Sequence, residues 1–219
     1  MTPSRRAVLV GLGAGLAAPG GQAATPGERL AAAARRQVGG TPGYDPAYRK
    51  LAYPGGDVPR RTGVCADVVV RTVRDAWGLD LQQLIHEDMA GDFAAYPTTW
   101  GLKRPDANID HRRVPNLETF WRRQGAKLWE ADGWRLGVDF SGALRPGDLL
   151  TWRTLPGGRP HVAIVVAGGL WPRIVQNNGG GTREEPLALM AIHAAHGHYR
   201  WGPPLPRADL SGGRGRRPG

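Results

Sequence analysis

The sequence predicts an α+β domain in which N-terminal helices pack on an antiparallel β-sheet, and three observations lead there. Helical patterns occupy the first half of the chain, up to Gln124. From Leu144 onward, β-branched runs alternate with Gly- and Pro-rich turns. The 219 residues, 41% of them hydrophobic, suffice for one real core and favour a single domain, here assigned to 25–207.

GERLAAAARRQV at 27–38 has the Ala, Leu and Arg content of a helix, stopped by Gly39-Gly40 and Pro42-Gly43. A Pro- and Gly-rich loop covers 41–63, a length uncommon for a loop without a site to serve. From Cys65 to Trp77, apolar residues at Val69, Val73 and Ala76 or Trp77 keep helical spacing, and Gly78 closes the helix. The run Val68-Val69-Val70 would suit a strand, but Arg71, Arg74 and Asp75 fall off the apolar stripe, which favours the helix. A further helix is expected over Asp80–Phe93, then an irregular stretch at 96–115, then a helix over 116–124 with Asn116 as its N-cap. LRPGDLLTW predicts a turn and strand, RTLPGGRP a hairpin loop, HVAIVVAGG a second strand, LWPRIVQNN a third ended by Gly179-Gly180-Gly181, and GHYRWG a short last one.

The first 24 residues read as a secretory signal, with Arg5 and Arg6, an uncharged stretch from Ala7 to Ala18, and a small-residue end. Ser4-Arg5-Arg6 also resembles a twin-arginine export signal. The apolar run is too short to cross a hydrocarbon layer of roughly 30 Å, so no stable membrane insertion is expected after cleavage. Removing residues 1–24 takes away two arginines and no acid, lowering the formal charge from +10 to +8. A basic exported protein favours anionic partners, here peptidoglycan or another anionic cell-envelope polymer. Nucleic acid is not expected: no recognition motif is present, and three arginines sit in a Gly-rich tail at 208–219 that reads as disordered.

Cys65 is the one cysteine, so it has no disulfide partner within the chain. A free cysteine is either buried packing or a nucleophile. Here the predicted helix begins at Cys65 itself, where free N–H groups and the helix dipole favour a thiolate, and Gly63 removes a side chain nearby. A thiol hydrolase needs a base, and His161 opens a strand directly after a Pro-Gly hairpin, where an imidazole projects from a rigid edge. A third polar group must hold that ring. The next strand offers Gln176 and Asn177, which alternation places on opposite faces, so only one can serve.

TGVCADVVVRTVR, the PGDLLTW and RPHVAIVV pair, and IVQNNGGG resemble the NlpC-like branch of the papain fold. YDPAYRKLAYPGGDVP, LQQLIHEDM and WGLKRPDANIDHRRVPNL are similar, more narrowly, to the bacterial domain-of-unknown-function family 1287, over roughly 44–201. The resemblance implies a papain-like NlpC-type fold with Cys65 as nucleophile at a helix N-terminus, His161 as base, and Gln176 or Asn177 as orienter. The family often shows His-Asn where this chain has Gln176-Asn177; a neutral amide holds an imidazolium less strongly than a carboxylate. The implied activity is a cysteine peptidase or amidase acting on peptidoglycan stem peptides, without a cofactor. A non-catalytic wall-binding module of the same fold is the alternative.

The separation of Cys65 from His161 leaves an extra segment, 80–140, expected to wall the groove. Asp67, His86, Asp88, Asp110, His111 and Arg112 are candidate substrate contacts. Read as metal ligands, His86, Glu87, Asp88, Asp110 and His111 lack HExxH-like spacing, and no metal site is expected. Substrate contact or loop-pinning ion pairs with Arg112 and Arg113 are the more ordinary roles.

Overall fold

A computed structural model of the chain describes residues 23–203. The expected leader lies almost wholly outside the described residues, and the Gly/Arg tail wholly so. Four helices come first: α1 (Pro26–Arg36), α2 (Cys65–Trp77), α3 (Leu81–Gly91) and α4 (Val114–Arg123). Six strands follow: β1 (Lys127–Leu136), β2 (Leu149–Thr154), β3 (Arg159–Ala167), β4 (Arg173–Asn177), β5 (Thr182–Pro186) and β6 (Ala194–Tyr199). They form one sheet in the order β1-β6-β2-β3-β4-β5, antiparallel at every pairing. The α+β class and its helices-first order are as the sequence predicts.

α1 begins with a reciprocal cap: the Thr25 hydroxyl accepts from the Glu28 N–H, and the Glu28 carboxylate accepts from the Thr25 N–H at 2.8 Å. Pro26 then occupies the first helical position, where no N–H is missed.

α2 is a helix despite its valine run, because nearly every side of its first two turns is covered. Every residue from Cys65 to Val73 is buried. Helical valines lose only tenths of a kcal/mol in propensity, while burying each contributes roughly 1.5–3 kcal/mol. Gly78 ends the helix in the left-handed region, φ 70°, its N–H returned to the Arg74 carbonyl.

Asn116 is not an N-cap. α4 starts two residues earlier, at Val114, with Pro115 in its first turn, and the Asn116 amide instead donates to the Asp110 carbonyl. β1 and β5 were not expected from the sequence. Both are edge strands of largely solvated residues: β1 leaves Leu128, Trp134 and Leu136 exposed and β5 is mostly polar, so neither shows a buried apolar face.

The sheet is covered on both faces. On one side Leu149, Val162, Ile164, Val166 and Val175 pack against α1 to α4. On the other, Leu150, Trp152, Ala163, Val165 and Ile174 pack with Phe140, Leu187 and Met190. This double burial explains why β3 reads as a continuous apolar run.

Candidate active site

Cys65 is the first residue of α2, and no side chain of the preceding Val64 caps the helix. Asp67 does that work from inside: its carboxylate accepts the Val64 N–H at 2.6 Å. Arg112 grips the same carboxylate with two bonds, Nε to Oδ1 at 2.8 Å and Nη2 to Oδ2 at 2.9 Å. Its remaining donors reach the Ala47 and Asp45 carbonyls, both at 3.0 Å. Arg71, off the apolar stripe in sequence, is fully buried under the 41–63 loop. It binds Asp57, Thr41 and the Val58 and Thr62 carbonyls. Gly63 suits this packing, since a Cβ there would meet Asp67 Oδ2 at 3.1 Å and Arg71 Nη1 at 3.2 Å, and both ion-paired side chains would have to give way.

The sulfur lies at a cleft of about 420 Å³ lined by Tyr44, Val64, Trp100, Arg112, Arg113 and Pro160. Part of the 80–140 segment walls it as expected: Arg113 stacks over Trp100, 4.1 Å from the ring centroid. The rest of that segment leaves the groove, β1 forming the far edge of the sheet. A larger apolar cavity, about 560 Å³, lies between Phe140, Leu144 and Leu187 of the second cluster and the exposed Trp171, away from Cys65.

Burial pushes the Cys65 thiol up to about 11, and the Asp67 charge adds to the rise. Backbone N–H groups of Val162, Ala66 and Cys65 oppose it by favouring the thiolate. The expectation of a resting thiolate at the helix start is therefore corrected: desolvation outweighs the N-terminal donors.

His161, on β3, packs beside Trp152 with ring centroids 6.1 Å apart, and its Nε2 lies 2.7 Å from Gln176 Oε1 on β4. Burial pulls the imidazole down to about 4, against the Gln176 bond, which favours the charged form. At neutral pH both the thiol and the imidazole are uncharged. His161 belongs with Trp152 and Gln176 to the side of the sheet carrying the second cluster. Its neighbour Val162 belongs to the first and offers its N–H to the sulfur. Among the described residues, no hydrogen bond joins the sulfur to the imidazole.

Gln176 and Asn177 do face opposite ways, and the geometry separates them. Gln176 holds His161. Asn177 instead donates to the Gly63 and Gly43 carbonyls and accepts from the Gly179 and Gly181 N–H groups, tying the loop before Cys65 to the end of β4.

The candidate substrate contacts scatter. Arg112 lines the cleft and Asp67 lies beneath it, but their contacts are with each other, the Val64 N–H and the 45–47 backbone. His86 stacks edge-on against Tyr53, and Asp88 accepts from Tyr96 and Arg123. Asp110 is buried against Arg113 and the Asp106 N–H, and burial raises its pKa. His111 is buried too, its pKa drawn down to about 4 by desolvation. None of these last four lines the Cys65 cleft. Among the described residues, no three His, Cys, Asp or Glu side chains come together as a metal site, and no helix is long and apolar enough to cross a membrane.

Two groups near the site were missed. Tyr44 stands at the cleft, its hydroxyl driven up to about 12 first by burial and then by the charges of Cys65 and Asp67. The length of the 41–63 loop was the available hint. Glu185 reaches Gln176 at 2.7 Å, but only a prediction of β5 would have placed it there.

Comparison with known proteins bears on the whole assembly. No solved structure matches the chain. The uncharacterized protein YijF of Escherichia coli (strain K12) is 46% identical over 175 residues, covering 78% of this chain and 80% of that protein. The family model DUF1287, a domain of unknown function, matches residues 31–201. That match runs from within α1 to beyond β6 and takes in Cys65, His161 and Gln176, so the chain belongs to the DUF1287 family.

Proposed function

We propose that this chain is an exported cysteine hydrolase of the NlpC-like papain-fold type, cleaving amide bonds in peptidoglycan stem peptides. The observation that carries the reading is the placement of Cys65. It starts a buried helix at the floor of a cleft, one backbone N–H away from the strand that holds the His161–Gln176 pair.

With both groups neutral at rest, the chemistry is general-base catalysis rather than attack by a preformed ion pair. His161 Nδ1 takes the thiol proton as sulfur bonds to the substrate carbonyl carbon, and the Cys65 N–H and a neighbouring donor receive the oxyanion. The proton then passes from Nδ1 to the leaving amine, releasing it and leaving a thioester. Water, deprotonated by the same nitrogen, hydrolyses the thioester and restores the thiol. The reaction requires Nδ1 to reach within roughly 3 Å of the sulfur; His161 shares the sheet face of Trp152 and Gln176 while Cys65 packs against the other face, so the ring must swing around the start of β3 to do so.

The burial of Cys65 and its raised pKa favour one other reading: a wall-binding module in which the thiol is packing. Purified muropeptides separate the two. Wild type is expected to alter their mass-spectrometric profile, and Cys65→Ala to leave it unchanged while still pelleting with sacculi. Identical, unaltered profiles with both proteins pelleting would establish the binding module instead.

A further inference from the structure

Gln176 makes three polar contacts, and together they leave its amide one orientation. Oε1 lies 2.7 Å from His161 Nε2, while Nε2 lies 2.7 Å from Glu185 Oε2 and 3.6 Å from Met190 Sδ. A carboxylate and a thioether only accept hydrogen bonds, so the amide nitrogen must face them. The reversed amide would set two oxygens against each other at the Glu185 side, with no proton between. The amide oxygen therefore faces the imidazole, and the ring nitrogen opposite it must carry a proton. Among the described residues His161 Nδ1 makes no hydrogen bond, so in the neutral ring its lone pair is left for chemistry.

The sheet makes this chain of contacts possible. β4 and β5 pair Gln176 with Arg183 and Ile174 with Glu185, which puts Glu185 diagonally across from Gln176 on the same face. Glu185 is half-buried, so its charge is partly desolvated and its bond to the amide is charge-assisted. Such a bond polarises the amide and makes its oxygen a stronger acceptor.

We propose that Glu185 is a positioning residue: acting through Gln176, it selects the Nε2–H tautomer of His161 and leaves Nδ1 as the proton acceptor at the candidate site. It also supplies, at one remove, the negative charge that the neutral Gln176 lacks. The tautomer stands on the contacts alone; the use made of Nδ1 rests on the hydrolase reading above.

Nitrogen-15 NMR of the histidine-labelled full chain at neutral pH tests it. Wild type and Cys65→Ala are both expected to show His161 protonated at Nε2 and bare at Nδ1. Glu185→Ala is expected to show a mixture of tautomers, and Glu185→Gln, whose side-chain oxygen still accepts, to restore the wild-type signal. In turnover, Glu185→Ala should lower kcat about tenfold with KM unchanged, the loss of one charge-assisted hydrogen bond. A proton on Nδ1 in wild type, or an unchanged tautomer in folded Glu185→Ala, overturns the proposal. An Nε2–H tautomer that responds to Glu185, in a protein without Cys65-dependent turnover, upholds the relay and sinks the hydrolase reading.

Discussion

Cys65 is held by buried charge, whereas His161 is held by neutral groups and sheet register. On the Cys65 side, Asp67, Arg112, Arg71 and Asp57 form two ion pairs whose arginines are almost completely buried, and these pairs tie the helix start to the 41–63 loop. On the His161 side, an imidazole, an amide and a thioether meet across two ladder-bonded strands, and the one charge, Glu185, stands a step behind. The difference follows from what each side is made of. A long loop brings no hydrogen-bond ladder of its own, so side chains must satisfy its carbonyls, and guanidinium groups carry enough donors to do so. Neighbouring strands arrive already in register, and a single neutral contact completes the alignment.

That contrast predicts unequal fragility. Asp67→Ala strands a buried Arg112 and removes the partner of the Val64 N–H, and should cost about 3–5 kcal/mol in urea unfolding at neutral pH. Gln176→Ala, its counterpart on the sheet side, should cost about 1–2 kcal/mol. Equal losses would mean that buried charge and sheet register hold the two sides equally firmly.

Acidification should reach both sides at once, because His111 and His161 are each held neutral by burial, with values of about 4 in the folded protein against 6.5 in the free residue. Between those values the unfolded chain binds more protons than the folded one, so stability falls as pH drops from 6.5 towards 4. The combined loss is on the order of a few kcal/mol. Cys65 has the opposite sign: its folded value is about 11 against 9, so stability is full below 9 and declines as pH rises towards 11. Thermal melts across pH would show a plateau between these limits. A chain as stable at pH 4 as at pH 7 would contradict the neutral burial of both rings.

Asn177 joins the loop before Cys65 to the end of β4, so Asn177→Ala loosens one side from the other. Losing its bonds to Gly63 and Gly43 should cost about 2 kcal/mol and speed proteolysis within 41–63 more than elsewhere. Uniform proteolysis would mean that the arginines, with Gln82 and Asn108, hold the loop without Asn177.

Cys65 at a helix start and the opposed faces of Gln176 and Asn177 follow from local periodicity, and the structure places them so; His161, expected to open its strand, is instead the third residue of β3, behind Arg159 and Pro160. Asp67 and Arg112 were singled out as substrate contacts, but they turn out to bind each other. Their separation along the chain carries no periodic signal, and only folding brings the 110–112 turn onto α2. The thiol's protonation was misjudged for a related reason: a helix start is visible in sequence, while the desolvation that overrides it is not.

By itself the sequence determined the α+β order, the extent of α2, the existence of β3, and the alternation separating Gln176 from Asn177, because these depend on residues within a few positions of one another. Tertiary structure decided the placement of edge strands β1 and β5, the buried charge web under Cys65, the neutrality of thiol and imidazole, and the contact of Glu185 with Gln176. Each of these depends on burial and on partners distant in the chain, which no local pattern records.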